Sequence, residues 1–275
     1  MNGFESGKSN SFTNGPFVWF IGRVVDVNDP EKDGRVRVKI FGYHPEGSNE
    51  ISDQDLPWAQ VANSLMSSAN KGLGIGPHAL VKDSLVIGYF LDGNDAQIPF
   101  VMFTFAGIGD IHDLVKGKNT INKQLMSANG IKEPKTAYNT QYPHNKVMVT
   151  TSGHIVEIDD TPGAERIHVY HKSGTFYEVY PNGQTVYKHQ GDTYFLTNGN
   201  MNQITNGNFK HSVSGNYDLT VGGNLTIKVS GSVNIQSGSS MNLKSGASLG
   251  IQSAGSTTAK AGGSMSLKAP VININ

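Results

Sequence analysis

The sequence predicts an all-β protein of two unlike halves, a small N-terminal barrel and a C-terminal solenoid of eight-residue rungs. Two observations carry this prediction. Between residues 17 and 107, five apolar stretches with strand-like alternation are separated by turn signals, and no amphipathic helical period intervenes. From Gly183 onward glycine recurs at every eighth position, with apolar and polar residues alternating behind it.

In chain order, residues 1–16 (MNGFESGKSNSFTNG and Pro16) read as a flexible polar arm without an apolar core of signal-peptide length. GFESGKS, from Gly3 to Ser9, falls one residue short of a phosphate-binding loop, and no strand precedes it. Residues 17–107 hold the strands FVWFIGRVVDV, GRVRVKIFGYH, LPWAQVA, SLVIGYFLDG and IPFVMFTFAG. Arg35, Arg37 and Lys39 alternate with Val36, Val38 and Ile40, the pattern of a half-buried strand with its basic residues outside. Five strands in so short a span suit a small closed barrel such as an OB-fold. Asp29, Glu31 and Asp33 imitate the start of a calcium loop, but Ile40 stands where a bidentate Glu is needed, so a β-turn is expected. GLGIGPH, from Gly72 to His78, has the wrong spacing for a nucleotide loop and reads as a barrel loop.

Residues 108–144 lose periodicity and read as a linker. Residues 145–182 resume as a meander of hairpins. Asp159 and Asp160 precede Thr-Pro-Gly, where adjacent carboxylates shape a turn. His168 and His171 are three apart on a strand, so they face opposite sides and cannot chelate together.

The octads run over 183–270. Glycine opens them at Gly183, Gly191, Gly199, Gly207, Gly215, Gly223 and Gly231, the beat passes through Ser239 and Ala247, and it returns at Gly255 and Gly263. Counting from each glycine, position three holds Phe209, Tyr217, Leu225 and Val233. Position five holds Leu219, Ile227, Ile235, Leu243 and Ile251. Position seven holds Val213, Val221 and Val229, then shrinks to Ser237, Ser245 and Ser253, which reads as a narrowing shaft. Odd positions therefore face a core and even positions face water. The glycines are expected at turns, where positive φ or close backbone approach excludes a Cβ. Asn200, Asn208, Asn216 and Asn224 follow them and tolerate left-handed geometry. Pro270 ends the pattern, leaving residues 271–275 as a tip.

One octad makes only one side of a prism. Either one chain supplies three octads per turn, or three chains intertwine and each supplies one side. The polar inward residues Gln203 and His211 sit more easily near a three-fold axis, where copies bond each other or trapped water. His211 is the one candidate for an ion on that axis, although hydrogen bonding would satisfy it equally.

Composition narrows the functions. There is no cysteine, hence no disulfide framework and no thiolate metal site. The formal net charge is zero, yet residues 183–275 carry six lysines against only Asp192 and Asp218. Those two acids lie three octads apart, about 15 Å along an intertwined shaft, whereas glycoside hydrolysis needs a pair within about 5–10 Å. No catalytic group and no cofactor is expected. The basic residues of the barrel lack interleaved stacking aromatics, which argues against a specific nucleic-acid ligand.

Three stretches carry a family resemblance. FVWFIGRVVDVNDPEKDGRVRVKIFGYHP with LPW at Leu56–Trp58, SGHIVEIDDTPGAERIHVYHKSGTFYEVYPNG, and the beat Val213-Ser-Gly215, Val221-Gly-Gly223, Val229-Ser-Gly231 resemble the cell-puncturing central spike of contractile-tailed bacteriophages. The spikes of type VI secretion are similar in plan. The resemblance implies an OB-fold barrel docked on a baseplate hub, followed by an intertwined triple-stranded β-helix, a homotrimeric needle aimed at the host envelope. It makes the odd-position residues the trimer core. It implies a PAAR-like cap on the tip, contacted by Val271, Ile272, Asn273, Ile274 and Asn275, and a place in the virion. The best-known spike carries a lysozyme domain between barrel and needle; only residues 108–144 stand there in this chain, so mechanical penetration without wall hydrolysis is expected. KAPVININ lacks the His-x-His pair that binds iron in some spikes, so no metal is expected at the tip.

Overall fold

In the computed structural model, residues 16–45, 47–71, 73–108, 110 and 134–273 are described. The proposed arm before Pro16, the GFESGKS stretch, Gly72, most of the linker, and Ile274 and Asn275 lie outside the described residues. The chain divides into two compact units, Met1–Ser214 and Gly215–Asn275, with the division inside the octads.

The five strands expected in the first half all form: β1 (Trp19–Asp26), β2 (Val36–Ile40), β3 (Trp58–Val61), β4 (Leu85–Phe90) and β5 (Pro99–Phe105). They close into a barrel in the order β1-β2-β3-β5-β4, with β3 and β5 parallel and the other pairs antiparallel. That is the OB arrangement. Inward residues at every second position, including Phe20, Val24, Val38, Ile40, Val86 and Val101, make its core. A Cβ on Gly88 would run into the Phe100 carbonyl and the Phe20 ring, so the glycine lets β4 and β5 close over the aromatic core.

The calcium-like stretch is a turn organised by one side chain. Asp29 accepts the backbone N–H groups of Glu31, Asp33 and Arg35, and its carboxylate is gripped by the Arg35 guanidinium at 2.7 and 3.1 Å. The Arg35 hydrogen bonds hold Asp29 far below the usual carboxylate range, against the opposing effect of burial. A depressed native pKa means stability present above the unfolded carboxylate value of about 3.9 and lost as pH falls below it. Asp29→Asn is therefore expected to lower barrel stability at pH 7 and to flatten its acid dependence below about pH 4, read by urea unfolding across pH.

The basic strand residues are not a free outward row. Lys39 is buried, 3 % exposed, and its ammonium donates to Glu50 at 2.8 Å and to the Ile51 carbonyl at 3.0 Å. Arg37 lies over the Trp58 ring at 4.5 Å, beside Arg35 at 5.9 Å. Simple alternation placed Lys39 outside; the 47–55 segment covers that side of β2 and supplies its acceptors.

The hairpins form a second sheet in the order β10-β9-β8-β7-β6, all antiparallel: β6 (Asn145–Val149), β7 (Ile155–Asp159), β8 (Arg166–Tyr170), β9 (Phe176–Val179) and β10 (Thr185–Lys188). Its faces invert the usual arrangement. The buried face carries Asn145, Glu157, Asp159, Arg166, His168 and Glu178. The segment 134–144 straps across it: Thr136 donates to Glu178 at 2.6 Å, Thr140 to Asp159 at 2.5 Å, and the Tyr138 ring lies 4.8 Å from the Arg166 guanidinium. The end of the expected linker is thus part of this sheet's packing. Arg166 bridges Glu157 at 2.5 Å and Glu178 at 3.0 Å. Burial pushes the Glu157 carboxyl up, but hydrogen bonds from His168 and Asn145 and the charge of Arg166 outweigh it and hold the pKa below its ordinary value.

Candidate functional site

The opposite face of this sheet is apolar and open. One row runs Ile158, Ile167, Val179 and Thr185; the next runs Met148, Val156, Val169, Tyr177 and Tyr187. Met148 is 61 % exposed and Tyr187 68 %, with Ile158, Ile167 and Val169 nearly half exposed. Thr185 and Tyr187 are also positions three and five of the first octad. The open face and the odd octad positions therefore share one side of the strand.

Beyond β10 the backbone bends at every eighth residue, at 190–191, 198–199, 206–207 and onward to 262–263, with six residues between bends. Gly191, Gly199, Gly207, Gly215, Gly223 and Gly231 sit at these bends. Among the described residues 189–273, no strand forms and no ladder joins one octad to the next. A solenoid closed within one chain would need such ladders. Every side chain from 189 to 273 is exposed, including Phe209, Tyr217, Leu219, Leu225, Ile227, Val233, Leu243 and Ile251. Along the odd positions named as core, exposure runs from 43 % at Val221 to 76 % at Ile235. Contiguous exposed apolar surface of this extent is of the kind that generally marks interaction sites.

The left-handed geometry considered for the bends does not form. None of the glycines from Gly191 to Gly263 adopts positive φ, and an added Cβ would meet nothing within 4 Å in the chain itself. Asn200, Asn208, Asn216 and Asn224 likewise stay out of the left-handed region. The position-seven serines also do more than shrink the packing. Ser245 donates to the Ser248 carbonyl at 2.8 Å and accepts from the Ala247 N–H at 3.4 Å; Ser237 and Ser253 make the same pair of bonds. Each hydroxyl spans its bend, a role for which the run Ser237, Ser245, Ser253 was the available signal.

His211 sets its ring edge-on to Phe209, centroids 6.4 Å apart. His168 and His171 are separated as the strand requires: His168 is buried against Glu157, while His171 stacks on His154 at 4.5 Å. Asp159 is held by the Thr161 N–H and hydroxyl, a turn-shaping carboxylate. At the tip, Val271, Ile272 and Asn273 are exposed. Of the barrel aromatics, Trp19 and Tyr43 face outward, whereas Phe20 belongs to the core and Trp58 lies beneath the two arginines. Trp19, Tyr89 and Phe100 form one lateral row across β1, β4 and β5, and Ile21, Ile87 and Phe103 the next.

Comparison with known proteins matches both halves. Residues 42–168 match the Gp5 N-terminal OB domain, a span that starts just after β2 and ends within β8. Residues 207–230 match three copies of the Gp5 C-terminal repeat, which is three octads beginning at Gly207. The chain is a homologue of the phage Gp5 central spike proteins. It is 29 % identical over 248 residues to Protein Gp5 of Vibrio phage KVP40, covering 65 % of this chain and 59 % of that relative. It is 49 % identical over 57 residues to the pre-baseplate central spike protein Gp5 of Enterobacteria phage T4, covering 21 % of this chain and 10 % of that one. The chain thus spans less than two thirds of the Gp5 relatives it matches.

Proposed function

We propose that the chain is the structural spike of a contractile-tail baseplate in the virion. Its OB barrel docks on the hub, and three copies intertwine their octads into a needle that pierces the host envelope mechanically. The observation that carries this reading is the octad half: bends of fixed period, apolar odd positions exposed along the whole length, and no ladder within the chain among the described residues. Two further copies supply the missing strands and cover the apolar row. The outward aromatic rows of the barrel, anchored by Trp19 and Phe103, give the hub an apolar surface. The exposed end at Val271–Asn273 leaves apolar surface for a cap. Interlocked strands resist compression because no side of the prism unravels without breaking ladders shared with two other chains.

The reading assigns no enzymatic activity to the chain. The test is direct. The purified full chain should have a mass near three times 29.5 kDa by light scattering and should leave purified cell wall undigested. A monomer, or robust clearing of the wall, overturns the proposal.

A further inference from the structure

We propose that Lys228, Lys244, Lys260 and Lys268 form a basic face along the distal octads that binds the anionic headgroups of a phospholipid bilayer. The surface rests on the needle reading above, which turns even octad positions outward. It gives the needle a chemical preference in addition to a shape.

The charge is confined and of one sign. Residues 189–218 hold Lys210 against Asp192 and Asp218. From Leu219 to Asn275 there are four lysines, no arginine and no acid. All four lysines fall at position six, where the column runs Lys228, Gln236, Lys244, Gln252, Lys260 and Lys268. Only Lys228 has an acid in the preceding octad, Asp218. The other even positions from Asn224 to Ser266 hold Asn, Ser, Thr, Gly and Ala, all shorter than lysine. The four lysines are exposed in the single chain, as are these neighbours. The ammonium groups are therefore the charges furthest from the backbone on this side of the octads.

Spacing selects the partner. In a braided shaft each octad rises one strand spacing, about 4.8 Å, so Lys228, Lys244 and Lys260 recur at about 9.6 Å with a glutamine between them. Three-fold symmetry repeats the column on every side. Cations about 9.6 Å apart do not converge on one phosphate, since an ion pair needs contact within about 4 Å; only Lys260 and Lys268 stand on successive rungs. The pattern suits anions spread over a surface. A nucleic-acid strand would add stacking on aromatic rings, and no aromatic residue follows Tyr217. Solubility does not ask for a single sign, because mixed charges serve it and acids serve it better than lysines. Edge protection does not ask for it either, because in the braid the strands pair along their length with neighbouring chains. One lysine close to an anionic membrane strengthens binding about fivefold, and the attraction decays within about 8–10 Å at physiological salt. It acts at contact and reverses with ionic strength.

The experiment sediments the tag-free full chain with vesicles of equal phosphatidylglycerol and phosphatidylcholine, or of phosphatidylcholine alone, with particle mass measured on the same samples. The expected result is a trimer that binds the anionic vesicles, ignores the zwitterionic ones and is released by molar salt. The fourfold variant Lys228→Gln, Lys244→Gln, Lys260→Gln and Lys268→Gln should stay trimeric, because glutamine already occupies the column at Gln236 and Gln252. Its binding should fall by about a hundredfold or more, the compounded loss of four such contacts. A control with the same change in net charge replaces Lys32, Lys71, Lys82 and Lys172, all exposed and outside the octads, with glutamine and should bind as the parent does. A trimer that ignores anionic vesicles, binds both vesicle types alike, or binds equally in the octad variant overturns the surface and leaves the needle intact. Equal loss in the control reduces the effect to net charge and overturns the surface too, as does tighter binding to soluble polyphosphate than to vesicles. A monomeric parent chain overturns the needle and the surface with it.

Discussion

Ile227→Asp is expected to leave the full chain monomeric, with a mass near 29.5 kDa where the proposed needle requires the parent chain to give three times that value. Ile227 is a position-five residue, 75 % exposed in the single chain. In the proposed needle its three copies meet on the axis, so the substitution would place three carboxylates at one level in an apolar column. A buried, unpaired carboxylate costs several kcal/mol even after relaxation. Every 1.4 kcal/mol is a tenfold change in association, so a cost of about 5 kcal/mol weakens assembly more than a thousandfold. Lys228→Asp, one residue away on the even side, should assemble normally. The pair isolates facing from general tolerance: assembly of the Ile227 variant at micromolar concentration, or failure of the Lys228 variant, would refute the assignment of odd positions to a shared core.

Arg166→Leu is expected to destabilise the second sheet by about 3–5 kcal/mol, the usual cost of removing one partner from a buried ion-pair network. Arg166 is nearly inaccessible and binds two carboxylates that are equally buried. Without it, Glu157 and Glu178 stay buried beneath the strap on either side of His168, with no guanidinium to neutralise them. Urea unfolding should show the loss. Adding Glu157→Gln and Glu178→Gln to the same chain should recover most of it, because the uncompensated charges are then gone. A loss below about 1 kcal/mol in the single variant would mean that the carboxylates are solvated and that the strap does not cover them.

Much of the fold is legible in the sequence, and the misreadings share one cause. The five barrel strands, the OB order they suit and the eight-residue period all follow from local pattern. Period two says that a strand has two unlike faces; it does not say which one is covered. In the second sheet the charged residues Glu157, Arg166, His168 and Glu178 are the buried set, and the apolar residues Ile158, Ile167 and Val169 are the open one. The deciding fact is the strap at 134–144, whose Thr136 and Thr140 offer hydroxyls to buried carboxylates. It lies in a stretch with no periodicity, so pattern reading had nothing to grip. Lys39 is the same lesson on a smaller scale. The bend serines were visible as a change of residue type at position seven, yet their bonds to the next octad depend on backbone geometry that composition does not contain.

The uniform spacing of the bends has a consequence for how the proposed shaft would come together. Corners that recur every eight residues, latched by Ser237, Ser245 and Ser253 within each chain, are ready-made before any partner arrives. They are also interchangeable. A strand shifted by one whole octad still turns where its neighbours turn, so misthreading is the natural error of this architecture. The unlike rungs at Gln203 and His211, and the sheet at the head of the octads, are where such a slipped braid would fail to mate.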